Sequence, residues 1–311
     1  MKKILPVLLC IGALPAYAND LSLTDAMRAT YAACVGIDEE LSDLKTMAGI
    51  NTAITAVGTV AGAGATVAGV VKVSTDQKIE ELEKILAELE AEAKNEDPMT
   101  AEEIETFLYD FNTKYSSRVL NKDSAKSELD ELNAKSKKQG NWRTGLVAGA
   151  TATNVAGAII AGTNQVKGEL KDQIDMCKLS IKQLRNAMMQ ARMNGEDISE
   201  AQEIVNACGD FEYSDLSKIN TRGKGAAISA GVGAATGLAG TVVSASANSE
   251  GVRGDNTADG KQKEKNLNTA ANVLSGTTTA ASATAMVFNA TQIKAIKQVA
   301  EVASKCTGVL K

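Results

Sequence analysis

The sequence predicts an all-α fold of elongated antiparallel helical hairpins with Ala/Gly-rich, coiled-coil-like seams, arranged as two disulfide-closed units. Three observations carry this. Apolar residues recur at alternating spacings of three and four, the period of a packed helix. Of 311 residues, 49 are Ala, 10 are aromatic and 3 are Pro, so the best helix former is common and the strongest breaker rare. Four stretches of 23 to 28 residues (46–71, 144–166, 225–248 and 266–293) contain no charged side chain.

The elements follow in chain order. Residues 1–18 have the build of a secretory signal peptide. Lys2 and Lys3 precede an apolar run from Ile4 to Leu14, and Ala16 and Ala18 supply the small-x-small cleavage position. That run is too short to anchor across a bilayer. Its build suggests export to the periplasm or surface of a bacterium. Cys10 leaves with the leader. Cys34, Cys177, Cys208 and Cys306 remain, an even number, as expected for disulfides in an oxidising compartment.

A single seam predicts one long helix over residues 22–95. It runs through Thr30, Cys34, Ile37, Leu41, Leu44 and Ala48, then Gly58, Gly62, Ala65 and Gly69, then Ile79, Leu82, Leu86, Leu89 and Ala93. Its middle is tiny, which lets helix backbones approach closely. Gly145, Gly149, Gly157, Gly233 and Gly237 offer the same close packing in the second and third uncharged stretches.

Asp97-Pro98 stops the pattern. Thr100 and Glu103 have capping-box spacing, with Met99 and Ile104 placed as a hydrophobic staple. A short helix with Phe107, Leu108 and Phe111 follows, then heptad-like residues Leu129 and Leu132. Glu80 with Lys84, and Glu90 with Lys94, have ordinary helix-pair spacing. Arg143 and Lys167 bracket the second uncharged stretch, and Trp142, the only Trp, sits at its edge like an interfacial anchor.

The cysteines suggest a pairing. The midpoint between Cys208 and Cys306 falls in the polar loop 249–264, about which the third and fourth uncharged stretches mirror each other. The first two mirror about the capped short helix, which brings Cys34 opposite the region of Cys177. The expected bridges are therefore Cys34–Cys177 and Cys208–Cys306. The expected organisation is a long hairpin over 19–193 with its capped tip near 98–118, a linker helix over 194–209 and a shorter hairpin over 210–311. Asn194-Gly195 breaks the chain between hairpins, and Ser199 with Gln202 suggests a capping box for the linker.

Several function classes are excluded. A chain with no His has no imidazole base, His-ligated zinc or Ser-His-Asp triad. A net charge of -5 without a basic tract argues against a nucleic-acid partner. The Gly-rich stretches lack a Walker A pattern. The loop 254–260 offers oxygen ligands but lacks the terminal Glu of a calcium-binding loop. The residues call for no catalytic site, metal or cofactor.

The uncharged runs resemble the glycine-zipper segments of bacterial envelope proteins. The likeness covers roughly a third of the chain, is compositional and transfers no residue role. The expected function is an exported, non-enzymatic cell-envelope scaffold or interaction module, water-soluble, whose partner is another protein or a second copy. The alternative is a membrane-inserting assembly or pore, since each uncharged stretch has the length of a span.

Overall fold

The computed structural model describes residues 21–93, 100–117, 119, 121–255 and 257–310. The signal reading (Cys10, Ala16 and Ala18 included), the Asp97-Pro98 stop and the Met99–Ile104 staple lie outside the described residues or their described side chains.

The described residues form helices joined by short turns, with no strand among them. In chain order these are α1 (Leu23–Cys34), α2 (Ile37–Ala93), α3 (Ala101–Tyr115), α4 (Lys122–Thr163), α5 (Gly168–Met193), α6 (Ser199–Glu212), α7 (Ser217–Ala247), α8 (Glu250–Arg253) and α9 (Ala258–Val309).

Local chemistry sets the boundaries. The seam predicted as one helix from residue 22 is interrupted at Gly36, whose φ of +87° suits a residue without Cβ. Ser22 caps α1, its side chain accepting from the Asp25 amide. Thr100 and Glu103 form the reciprocal capping box of α3. Asn121 and Ser124 cap α4 in the same way. Gly195, with φ of +78°, follows the end of α5. The capping box expected at Ser199 is not formed: Ser199 is already helical, and Asp197 Oδ1 takes its amide proton at 2.9 Å. The polar loop expected over 249–264 is shorter, because α8 occupies part of it and α9 begins at Ala258.

Packing groups the chain into two compact units that do not follow chain order. Of the described residues, the first comprises 21–45, 166–219 and 294–310. Here α1 packs on α5 and α5 on α6. The helix of 199–212 is thus part of a core, burying Ala201, Ile204, Val205, Cys208 and Phe211. Ile174, Ile181, Leu184, Ile219 and Ile296 complete an apolar interior. Two disulfides cross this unit, Cys34–Cys177 with Cα atoms 4.8 Å apart and Cys208–Cys306 at 4.3 Å.

The second unit comprises residues 46–165 and 220–293. Its long helices are parts of α2, α4, α7 and α9. Contacts between α2 and α4 run from Thr55 beside Gly157 to Lys78 on Glu128. Those between α4 and α7 run from Asn154 beside Gly233 to Asn141 on Asn248. Those between α7 and α9 include Phe288 beside Gly225 and Thr278 on Thr236. Those between α9 and α2 run from Asn289 on Asn51 to Lys261 on Glu83. In each series one number rises as the other falls, so neighbouring helices are antiparallel and the four form one bundle. Near one end, Leu82, Ile85, Leu86, Phe111, Val119, Ala125 and Leu132 make a conventional apolar cluster joining α2, α3 and the start of α4.

Candidate functional site

The register of the second unit aligns all four uncharged stretches. Asn51 meets Asn289, Thr151 lies against Gly237, and Gly69 lies against Asn272. The stretches therefore form one belt. Twenty-six residues of α2 at ~1.5 Å per residue make it about 39 Å tall.

Polarity inside this belt is inverted. A water-facing bundle buries its apolar stripe. Here amide and hydroxyl groups are buried along the axis, interleaved with Ala65, Val147, Ala150, Ala230, Ala271 and Ala285. Asn51 Nδ2 donates to Asn289 Oδ1 at 2.9 Å. Asn154 and Ser282 exchange hydrogen bonds of 2.8 and 3.0 Å. Thr236 and Thr278 pair at 3.0 Å, and Gln292 Nε2 donates to the Asn164 carbonyl at 2.8 Å. Asn51, Thr55, Asn154, Ser275, Ser282, Asn289 and Gln292 are all buried. Many of the hydroxyls donate to the carbonyl four residues earlier, as Thr55, Thr151 and Ser275 do.

The outside of the belt is apolar. Val60 is 73% exposed, Ile228 69%, Val242 65% and Ile159 62%, and Val57, Val67, Leu238, Val273 and Val287 point outward as well. Scattered exposed apolar residues are ordinary; here they form a contiguous band without a charge between them.

At one edge of the belt the interior becomes ionic. Lys72 is fully buried, and its Nζ lies 2.6 Å from Asp76 and 3.3 Å from Glu264. Arg143 is fully buried and donates to Ser244 at 2.9 Å, Asn268 at 2.8 Å and Asn272 at 3.2 Å. Ser136 donates to Asp76 at 2.5 Å, and Asn268 donates to it at 3.3 Å. Two cations face two anions, and the network touches all four helices. Arg143, which brackets the second uncharged stretch in the sequence, is sealed within the bundle. Trp142 beside it is 61% exposed.

Among the residues singled out for close packing, Gly58 lies against Thr153, Gly69 against Asn272 and Gly237 against Thr151. A Cβ on Gly62 would stand 2.6 Å from Thr279 Oγ1 and 3.2 Å from its Cα. One on Gly233 would stand 2.7 Å from Asn154 Nδ2, and one on Gly157 3.0 Å from Thr55 Cγ2. Ala65 is fully buried. The expectation is corrected at Gly145 and Gly149, where nothing lies within 4 Å of a Cβ: they sit on the outer face of α4. Gly140 beside Asn248 and Gly225 beside Phe288 are close approaches that the sequence reading missed.

Among the described residues no cluster of three or more Cys, Asp and Glu is placed to hold a metal ion. The oxygens of the loop near 255 are engaged in helix capping: Asp255 Oδ1 accepts from Thr257, whose hydroxyl accepts from the Gly260 amide. In a shallow recess of about 350 Å³, lined by Asn133, Lys137, Glu250 and Arg253 among others, Lys137 pairs with Glu250 at 3.1 Å and Arg253 donates to Asn248 and to the Asn133 carbonyl. Glu90 lies 3.2 Å from Lys122 and 3.5 Å from Lys126, and the expected Glu90–Lys94 pair involves a residue outside the described ones. Comparison with protein-family models, with curated proteins and with solved structures finds no match to this chain.

Proposed function

We propose that this chain is an exported, non-enzymatic scaffold of the cell envelope whose four-helix unit is embedded in a lipid bilayer. The observation that carries the reading is the inverted polarity of the belt. In water, a ring of exposed Val, Ile and Leu around an axis of Asn, Ser and Thr is the costly arrangement, because apolar area stays wet while amides are desolvated. In hydrocarbon it is the favoured one. Helices associate there through small residues and interhelical hydrogen bonds, and lipid covers the apolar outside.

The dimensions agree, since a belt of about 39 Å exceeds the ~30 Å hydrocarbon core. Stretches within Leu23–Glu88, Lys122–Met193 and Ser199–Ala247 are long and apolar enough to cross a membrane. The fourth, in α9, is the most polar and is not among these three; its Ser275, Thr278, Ser282, Asn289 and Gln292 face the interior, while Thr269, Thr277 and Thr284 are exposed. Lys72 and Arg143 fit the same frame, because ionisable groups in membrane bundles turn inward and pair. Close helix packing and axial hydrogen bonds fill the bundle axis, which favours an anchor and assembly core over an open pore. The amino-terminal leader reading and the two disulfides support export.

The test is an alkaline carbonate wash of membranes from producing cells. Retention in the pellet supports the reading. Release into the wash contradicts it and turns attention to self-association through the same apolar ring in water.

A further inference from the structure

The connectivity of the bundle, together with the distribution of cysteines, bears on sidedness. Because neighbouring helices alternate in direction, the chain passes into or out of the second unit near residues 46, 165, 220 and 293, all at one end. That end is marked by Gln292 on the Asn164 carbonyl and by Gly223, where a Cβ would stand 3.3 Å from Gln165 Cγ. The other end is marked by Gly140 beside Asn248 and by the Lys72–Glu264 pair. There the chain turns back twice, through residues 72–143 and 249–265. Cys34, Cys177, Cys208 and Cys306 all fall in segments joined to the first end, and the two returning segments contain no cysteine.

Resting on the membrane reading above, we propose that the protein has a fixed two-sided topology. Residues 21–45, 166–219 and 294–310 face the oxidising, export side. The described residues within 72–143 and 249–265 face the opposite, reducing side. Both disulfides then lie where disulfides persist. An even number of crossings returns the chain to the oxidising side each time a cysteine must be placed. The second compartment receives a folded element, since Leu82, Leu86, Phe111 and Leu132 pack together there. The protein thus presents a different surface to each compartment.

The experiment uses two full-length variants, Lys182→Cys for the export side and Lys138→Cys for the opposite side. Both positions are exposed. Spheroplasts of producing cells are treated with a membrane-impermeant maleimide, before and after detergent permeabilisation, and the membranes are carbonate-washed in parallel. The expected result is labelling of Lys182→Cys at once and of Lys138→Cys only after detergent, with both variants retained in the washed membrane. Labelling of both at once in a carbonate-resistant protein overturns the topology and leaves the membrane reading standing. Labelling of both with release into the wash overturns both. The reverse order of labelling overturns the assigned sidedness.

Discussion

Two glycines of similar sequence context have opposite surroundings. A Cβ on Gly62 meets Thr279 side chain and backbone, whereas one on Gly145 meets nothing. Gly62→Ala therefore forces α2 and α9 apart and costs about 1–3 kcal/mol. Gly145→Ala adds helix propensity without a clash and stabilises by about 1 kcal/mol or less. Thermal unfolding in a mild detergent distinguishes them, with the midpoint falling for the first and rising for the second. Charge effects outside the belt also carry opposite signs. Lys78, hydrogen-bonded to Glu128 at 2.7 Å, holds the Glu128 carboxyl below its ordinary range. A lowered carboxylate pKa contributes stability that is present above about pH 4.5 and is lost as pH falls through the folded value. Glu40 is shifted upward, chiefly by burial and then by Glu169 and Asp43, so its ionisation works against the fold at neutral pH. Glu128→Gln should lower the unfolding midpoint at pH 7, and Glu40→Gln should raise it. The Glu40 difference should vanish below the ordinary carboxylate range, whereas the Glu128 difference should persist to lower pH, until its depressed folded pKa is passed. The periodicity of the sequence revealed which positions were buried here, but not that Asn51, Thr55 and Lys72 were among them. These three keep the 3,4 frame of the predicted seam, and a seam read only through its apolar members passes over them.

At the scale of elements, the helices depend on one another through the ionic layer of the second unit. Arg143→Leu leaves Asp76 and Glu264 facing Lys72 alone and strips donors from Ser244, Asn268 and Asn272. Breaking a buried, charge-balanced network on one side costs about 3–5 kcal/mol. The expected outcome is a markedly lower unfolding midpoint for Arg143→Leu and a smaller loss for Arg143→Lys, which keeps the charge but not the fork of donors. An unchanged midpoint for Arg143→Leu would show that the layer is incidental. The helical class, the α3 capping box and both cysteine pairings were legible because spacing, punctuation and mirror symmetry are properties of the chain. The break at Gly36 was not, because a single glycine inside a continuous seam is equally compatible with an unbroken helix. The inward turn of Arg143 was also hidden. A charge at the edge of an apolar run reads as a flank until the neighbouring helices supply Ser244 and Asn268.

At the scale of the whole molecule, the two units are stabilised by different means. The first buries Ile, Leu and Phe and closes long loops with two disulfides separated by 143 and 98 residues. On the chain-entropy model each bridge stabilises by up to about 4–5 kcal/mol. The four sulfurs are buried, so reductant alone should leave both bridges intact, while reductant with denaturant should open them. A Cys34→Ser/Cys177→Ser variant should unfold at lower temperature, with the loss confined to the probes placed in that unit. The second unit has no such bridge among its residues and relies on close backbone approach and axial hydrogen bonds, with apolar side chains on its outer surface. That surface was half legible: the four charge-free stretches are plain in the sequence, but which face each turns outward is set by pairing four helices at once. The most direct test is site-directed spin labelling at Val60, Ile159, Val242 and Val287 in lipid vesicles, comparing collision with oxygen against collision with a water-soluble nickel chelate. The account predicts that oxygen dominates at all four positions, as for side chains in hydrocarbon. Dominance of the nickel chelate at these positions would place the belt in water and contradict it.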